Sequence, residues 1–330
     1  MRYKLLGRSG LRVSELCMGT MTFGTDWGWG ADKATSQQMF DMYAEAGGNF
    51  IDTANLYTNG TSEDYVGDFI QADRDHFVVA TKYTLTEARR AGDTRIRPNG
   101  SGNQRKSMMM SVERSLKRLK TDFIDLLYIH AWDYMTPVEE VMRGLDDLVR
   151  QGKVQYVIAS DTPSWIMAEA NTLADLRGWS RFLGIQVPYS LLERDIERAI
   201  MPMAKHWDMA VLPWGMLKAG VLTGKFLTGT DAPTRVDKDS LNLTEQQVAI
   251  VQTVVDIAQE VGRPPSQVAI NWVRQQQHRA QIIPIIGART TGQLQDNLDC
   301  LAWELDTDQL TRLDEVSRIP LGFPNTFLPA

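Results

Sequence analysis

The chain has 330 residues, of which 43% are hydrophobic and 23% are charged, a composition that excludes disordered and fibrous proteins. The formal net charge is −6 and no run of Lys or Arg is long enough to follow a phosphate backbone, so nucleic acid is not an expected partner. Because the N-terminus lacks a signal-peptide core and no stretch approaches about 20 apolar residues, we expect a cytoplasmic protein without membrane insertion.

The first predicted element is a small hairpin, in which residues 3–5 and 11–13 flank a Gly-rich turn. Eight short apolar runs then alternate with amphipathic stretches, a pattern typical of βα units with parallel strands. The runs occupy residues 15–19, 49–53, 77–81, 123–130, 154–160, 182–187, 209–214 and 282–287. Because eight such units favour a closed sheet, we predict one α/β domain over residues 1–330: a (β/α)8 TIM barrel with a short N-terminal hairpin.

Two of the intervening helices carry local signals. Ahead of the fourth run, apolar residues at helical spacing predict a helix with a buried face: Met108, Val112, Leu116 and Leu119. Ahead of the fifth run, Thr136 is predicted as the N-cap of a helix, with Pro137 at its first position and Glu139 completing a capping box.

Three segments rich in Gly, Pro, Ser, Thr or Asn interrupt the alternation, and we assign them to extended loops at the barrel mouth. They are residues 84–104, residues 215–243 and the tail from about Arg318. The two cysteines, Cys17 and Cys300, lack the paired spacing of a zinc site or a disulfide framework. We therefore expect two buried thiols in a reducing compartment.

Polar residues that close the apolar runs are the candidates for chemistry, because catalytic groups of a TIM barrel lie at the carboxyl ends of its strands. In chain order they are Asp52, Tyr57 in the following loop, Lys82, His130, Ser160, Asp161, Gln186 and Trp214. Each of them alone has a commoner structural explanation, such as helix capping or a solvated charge at the rim. Their convergence on one mouth is what suggests a site.

A phenol has a pKa of about 10 and is a weak acid at neutral pH unless its phenolate is stabilised. Lys82, held by Asp52, is expected to lower the pKa of Tyr57 by its charge, while His130 would hydrogen-bond the same substrate oxygen and share in proton delivery. This set suits protonation of a carbonyl oxygen while a hydride arrives from elsewhere.

The same residues lie in sequence motifs that resemble the aldo-keto reductases over nearly the whole chain. The matching segments are residues 19–24 (GTMTFG), 52–57 (DTANLY), 80–82 (ATK), 127–130 (LYIH), 186–194 (QVPYSLLER), 220–225 (GVLTGK) and 283–289 (IPIIGAR). The resemblance implies a catalytic tetrad of Asp52, Tyr57, Lys82 and His130, in which Tyr57 is the general acid in reduction and the general base in oxidation.

The resemblance also implies NADPH bound in extended form across the barrel mouth, and the sequence has neither a complete Rossmann glycine motif nor a P-loop. Ser160, Asp161 and Gln186 would bond the carboxamide, and Trp214 would stack on the nicotinamide. Arg289 would contact the 2′-phosphate and favour NADPH over NADH, although a solvated surface charge is the alternative. The resemblance further implies a pyrophosphate lined by Met216, Leu217, Lys218, Gly220 and Lys225, and an adenine reached by Gln293, Asp296 and Asn297. Arg235 lies in a loop that similar enzymes fold over the cofactor. The remaining implied contacts are Thr20, Met21, Asp52 and Gly287.

Two positions depart from the pattern of many relatives. Asp161 replaces an Asn, so an acceptor-only carboxylate would bond only the NH₂ side of the carboxamide, which puts its role in doubt. Trp214 replaces a Tyr, but Trp also occurs in the family and stacks equally well.

The residues available near the mouth suggest an apolar or aromatic carbonyl substrate: Phe23, Trp27, Trp29, Tyr57, Trp132 and Tyr134. Trp27 and Trp29 have an alternative as packing residues. Two other functions remain open: an NADPH-binding regulatory or potassium-channel accessory subunit with slow catalysis, and an aldolase with Lys82 as Schiff-base lysine. His130 argues against the first and the Asp52 ion pair against the second. The oligomeric state cannot be inferred from the sequence.

Overall fold

A computed structural model describes residues 1–85, 97–227 and 243–328. Within them, one sheet contains nine parallel strands and a separate antiparallel pair precedes it. The pair is β1 (Tyr3–Leu5) and β2 (Arg12–Ser14), which confirms the hairpin. The sheet contains β3 (Cys17–Gly19), β4 (Phe50–Asp52), β5 (Val78–Tyr83), β6 (Ile124–Ile129), β7 (Val154–Ser160), β8 (Phe182–Pro188), β9 (Ala210–Trp214), β10 (Gln281–Ile282) and β11 (Ile285–Ile286).

The sheet closes on itself through its last two short strands. Strands β3 to β9 lie side by side in chain order, β10 pairs with β9, and β11 pairs with β3. The predicted eighth strand is thus two strands, because Pro284 between them has no N–H to donate. Its carbonyl instead accepts a 2.8 Å hydrogen bond from the backbone of Cys17. The predicted (β/α)8 barrel is confirmed.

The described helices lie between consecutive strands and after the last one. They are α1 (Lys33–Glu45), α2 (Thr61–Phe69), α3 (Arg105–Leu119), α4 (Val138–Arg150), α5 (Ser164–Arg177), α6 (Ile200–His206), α7 (Glu245–Val261), α8 (Pro265–Arg274), α9 (Thr291–Leu298) and α10 (Thr307–Val316). None of these helices is long and apolar enough to cross a membrane.

The hydrophobic core has two parts, one between helices and sheet and one inside the barrel. Leu6 and Val13 of the hairpin are fully buried in the interior cluster. Because they enter at the amino ends of the strands, the hairpin plugs that end of the barrel. Among the described residues, the candidate polar side chains lie at the opposite mouth, as the strand-end argument predicts.

The two helix predictions had different outcomes. The apolar face of α3 is buried at Met108, Val112 and Leu119, which confirms the helix and its core role. The capping box at α4 was wrong: Pro137 is the N-cap residue and makes no side-chain cap bond. The Thr136 hydroxyl is committed elsewhere, since it donates to the Asp133 carboxylate at 2.8 Å.

The three predicted mouth loops are described in part. Residues 86–96 and 228–242, which include Arg235, lie outside the described residues. The tail packs on the connection that leaves the carboxyl end of β8, where Asn325 donates to the Arg198 carbonyl at 3.1 Å. Cys17 and Cys300 are buried free thiols, as expected.

Candidate active site

Lys82 and Asp52 form a buried ion pair at the mouth end of the barrel. Asp52 is the last residue of β4 and Lys82 lies on the adjacent β5, so neighbouring strands bring them together. The Lys82 Nζ atom donates to Asp52 Oδ2 at 2.7 Å, to the Thr53 carbonyl at 2.8 Å and to Tyr57 Oη at 3.1 Å. The Lys82 side chain is 0% exposed, so three acceptors satisfy its three N–H groups within the protein.

Tyr57 is held above this ion pair by a strained turn. The next three residues, Thr58, Asn59 and Gly60, have φ values of 44°, 60° and 99°, and a β-branched residue such as Thr rarely adopts this left-handed region. The Thr58 hydroxyl donates to the Phe23 carbonyl at 2.5 Å and anchors the turn. The Asn-Gly pair favours this conformation, but the sequence reading did not single out Thr58.

The pKa of Tyr57 lies above its ordinary value. Burial raises it, the charge of Lys82 lowers it, and the charge of Asp52 raises it again. Lys82 thus acts in the expected direction but does not outweigh the burial of the phenol. Tyr57 is therefore protonated at neutral pH, as a proton donor must be.

Lys82 is positively charged at neutral pH. Burial lowers its pKa, but Asp52 and Tyr57 outweigh burial and the pKa lies above its ordinary value. A Schiff-base lysine must lose this proton before it attacks a carbonyl. The pair with Asp52 therefore disfavours the aldolase reading.

His130 follows β6 and lies beside Tyr57, with ring centroids 5.8 Å apart and planes at 80°. Burial and the nearby charge of Lys82 lower the pKa of His130 to about 3. The imidazole is therefore neutral at physiological pH, and it can donate one hydrogen bond to a substrate oxygen but does not carry the transferable proton. The low pKa therefore disfavours the expected share of His130 in proton delivery, whereas its hydrogen bond to a substrate oxygen stays a prediction.

The low pKa predicts that His130 makes the fold sensitive to acid. As the pH falls from 6.5 towards 3, the unfolded His takes up a proton while the folded His does not, so the free energy of unfolding decreases. We expect His130→Asn to lose less stability than the wild type between pH 7 and pH 5, measured by urea unfolding. Equal losses in the two proteins would contradict the assignment.

Two of the residues implied as cofactor contacts, Gln186 and Thr20, bond Asp52. The Gln186 Nε2 atom donates to Asp52 Oδ1 at 2.8 Å, and the buried Thr20 hydroxyl donates to the Asp52 carbonyl at 3.0 Å. Asp52 is thereby held by Lys82 on one oxygen and by Gln186 on the other. Ser160, at the end of β7, is also buried.

Asp161 and Trp214 lie at the rim above the tetrad. Trp214 closes β9 and is 42% exposed, so part of the residue is accessible to a ligand. Loss of hydration raises the pKa of Asp161 to about 6, although the charge of Lys82 and a hydrogen bond with Trp214 lower it. Near neutral pH a fraction of Asp161 is thus protonated, and a protonated carboxyl can both donate and accept, as an Asn amide does.

The predicted pyrophosphate segment follows β9. Gly220 has φ 91°, and a Cβ atom there would lie 2.8 Å from the Lys225 Nζ atom. The positive φ favours Gly at this position, whereas the Lys225 ammonium is the end of a flexible side chain and could move aside. Lys218 forms an ion pair with Glu193, while Met216 is buried and Leu217 half-buried.

The predicted adenosine side begins next to α9. Arg289 directly precedes Thr290, the N-cap of α9, and its guanidinium has no ion pair in the described part of the chain. Gln293 accepts from the backbone of Arg289 at 2.9 Å. Asp296 is engaged by Ser266 and Gln267, while the buried Asn297 donates to the Gly287 carbonyl at 3.1 Å. Met21 is half-buried and Gly287 exposed.

Of the aromatic residues predicted to line a substrate pocket, some are buried in the core and others lie on the loops around the mouth. Phe23 is 1% exposed and packs edge-on against Phe69, so the expectation that it lines the pocket was wrong. The Trp27 indole donates to Asn59 Oδ1 at 3.2 Å, and its ring lies 5.6 Å from that of Trp29. Trp27 thus joins the loop between β3 and α1 to the Tyr57 turn, as a packing role requires. Tyr134 is 71% exposed.

The comparisons with known proteins agree with the geometry. The model of the aldo/keto reductase family matches residues 15–318. Norsolorinic acid reductase of Aspergillus flavus is 38% identical over 98% of this chain and 83% of its own length. Aryl-alcohol dehydrogenase [NADP(+)] of Phanerodontia chrysosporium is 37% identical over 96% of this chain and 85% of its own length.

Proposed function

Because this chain belongs to the aldo/keto reductase family, we propose that it is an NADP(H)-dependent reductase that converts aromatic aldehydes or ketones to alcohols. The observation that carries the proposal is the buried contact of Lys82 with both Asp52 and Tyr57. It places a protonated phenol beside a fixed positive charge at the barrel mouth. That arrangement suits protonation of a carbonyl oxygen.

The residues at the mouth fit a nicotinamide dinucleotide phosphate. The part-exposed indole of Trp214 suits a planar ring. The guanidinium of Arg289, which has no ion pair among the described residues, lies beside the N-terminus of α9 and suits a phosphate. A pyrophosphate could approach the backbone of Gly220 closely, because no side chain lies there, and Lys225 would supply a positive charge next to it. Ser160, Asp161 and Gln186 would orient the carboxamide.

When bound, this cofactor supplies a hydride to the carbonyl carbon. The negative charge that develops on the substrate oxygen is met by the Tyr57 hydroxyl, which gives up its proton, and by the N–H of neutral His130. Lys82 stabilises the resulting phenolate, because its ammonium lies 3.1 Å from Tyr57 Oη. Asp52 and Gln186 keep that ammonium in place and charged. In the reverse direction the phenolate is the general base.

The proposed substrate class rests on two supports. Tyr134 and the Trp27–Trp29 pair provide apolar ring surface on the loops around the mouth, whereas Trp132 belongs to the buried core. The relatives named above are a reductase of norsolorinic acid and an aryl-alcohol dehydrogenase by their printed names. We therefore expect an aryl group next to the reacting carbonyl.

The experiment that tests the function is a carbonyl panel, measured as cofactor oxidation with NADPH and NADH in parallel. We expect aromatic aldehydes to be reduced with a higher kcat/KM than short aliphatic aldehydes or sugar phosphates, and NADPH to be preferred. A panel in which no aromatic carbonyl is reduced with either cofactor would contradict the proposal.

Arg289 is expected to determine the cofactor preference. Replacing it by Ala removes a charge-assisted contact with the 2′-phosphate and should raise the KM for NADPH by about 10- to 100-fold. The KM for NADH should change little, because NADH lacks this phosphate. The control is Arg177→Ala, at the exposed end of α5 away from the mouth. An equal rise in the KM for NADPH and for NADH would show that Arg289 does not recognise the 2′-phosphate.

A further inference from the structure

Thr84, two residues after Lys82, has a backbone conformation that a β-branched residue rarely adopts. Its φ is 106°, and its side chain is buried. Such strain persists only where surrounding contacts impose it, and it concentrates at functional sites. The contacts here are hydrogen bonds to the Thr84 hydroxyl, from the His130 backbone at 3.3 Å and from Asn103 Nδ2 at 2.9 Å.

Asn103 connects the end of β5 to the segment that follows His130. Its Nδ2 atom donates to the Thr84 hydroxyl and, at 3.0 Å, to the Ala131 carbonyl. Its Oδ1 atom accepts from the Asp133 backbone at 2.7 Å, and its own backbone N–H donates to Asp133 Oδ2 at 2.7 Å. Asn103 is 0% exposed, and every polar atom of its amide is used.

The neighbouring Gly102 shows how closely these segments approach. Its backbone N–H donates to the Thr84 carbonyl at 2.7 Å. A Cβ atom at this position would lie 3.1 Å from Asp133 Oδ2, and φ is 94°. A side chain would be strained by this positive φ and would require the Asp133 carboxylate to shift slightly.

His130 depends on this network because its ring lacks an anchor of its own. The Nδ1 atom is buried and has no hydrogen-bond partner among the described residues. The backbone N–H of His130 is held by the Tyr83 carbonyl at 3.0 Å and by the Thr84 hydroxyl. The position of the imidazole beside Tyr57 is therefore set through the backbone on both sides of His130.

We propose that Thr84 and Asn103 are positioning residues for carbonyl reduction, which hold the His130 imidazole where it can bond the substrate oxygen next to Tyr57. This inference rests on the proposed function, in which His130 donates to that oxygen. Both residues are buried. Both act through the hydrogen bonds to the His130 backbone, Ala131 and Asp133.

The test is a double-mutant cycle between Thr84 and His130. Thr84→Val keeps the shape and removes the hydroxyl, and we expect it to lower kcat by about 10- to 100-fold, since small misplacements of a catalytic group have effects of this size. Thr84→Ser keeps the hydroxyl and should retain most of the activity. NADPH affinity, measured by quenching of Trp fluorescence, should be unchanged in both variants.

In a His130→Ala background, Thr84→Val should cause no further loss of kcat, because the group it positions is absent. The matched control is Thr311→Val on the exposed face of α10, which should have no effect in either background. If Thr84→Val does not fold, as judged by circular dichroism, Thr84→Ala enters the cycle, since Ala fits the strained backbone with less crowding.

Three results would overturn the proposal. Thr84→Val could leave kcat unchanged, it could lower kcat by the same factor in the wild-type and the His130→Ala backgrounds, or Thr84→Ser could lower kcat as much as Thr84→Val does. These are distinct from a failure of the proposed function, in which the wild type itself would not reduce aromatic carbonyls. A wild type that reduces them, with additive effects of Thr84 and His130, would overturn the positioning role alone.

Discussion

Replacing Tyr57 by Phe is expected to lower the rate of carbonyl reduction by about 10²- to 10⁴-fold, the usual contribution of a positioned general acid. The substitution removes one oxygen atom and leaves the ring that packs edge-on against His130. It also removes one of the three acceptors of Lys82, but the bonds to Asp52 and Thr53 remain. The ion pair and the fold should therefore persist.

Binding and chemistry are separable in this variant. NADPH should still quench the Trp fluorescence, because the proposed cofactor contacts at Trp214 and Arg289 are unchanged. Single-turnover measurements of NADPH oxidation then report the chemical step alone. Turnover equal to that of the wild type would exclude Tyr57 as the acid, and loss of NADPH binding would point to a structural effect instead.

Replacing Lys82 by Met should impair both stability and turnover. The Asp52 side chain is 4% exposed and would lose its cationic partner, and leaving one charge of a buried pair uncompensated costs about 3–5 kcal/mol. Turnover should fall by at least about 10²-fold, because the phenolate of Tyr57 would lose its stabilising charge. Urea unfolding and steady-state rates measure the two effects.

The double variant Asp52→Asn/Lys82→Met separates these two effects. With both charges removed, no buried ion is left unpaired, so much of the lost stability should return. Turnover should not return, because the charge beside Tyr57 is still absent. Recovery of turnover together with stability would mean that Lys82 serves the fold and not the reaction.

The barrel and the location of the candidate site could be predicted from the sequence because both follow from local patterns. Apolar runs closed by Asp52, Lys82 and His130 are strands whose polar ends meet at one mouth. The hairpin could also be predicted from the sequence. That it closes the amino end of the barrel became clear from the burial of Leu6 and Val13 in the interior cluster.

What the sequence did not predict depends on tertiary contacts. The prediction of Thr136 as a helix N-cap was wrong because its hydroxyl donates to the Asp133 carboxylate. The side chain of Phe23 packs in the core against Phe69 and does not line the mouth. The neutral state of His130 follows from burial next to Lys82, which composition and spacing do not reveal. Asn103 carries no sequence signal, since its role depends on bonds to Thr84 and Ala131 across the mouth.

The most direct test of the account follows the hydrogen that is transferred. Purified protein is incubated with an aromatic aldehyde and NADPH carrying deuterium at the transferred position of C4, and the product is analysed by mass spectrometry. We predict the aromatic alcohol with one deuterium on its carbinol carbon in the wild type, and about 10²- to 10⁴-fold slower formation in Tyr57→Phe. Absence of the deuterated alcohol from the wild-type reaction would contradict the account.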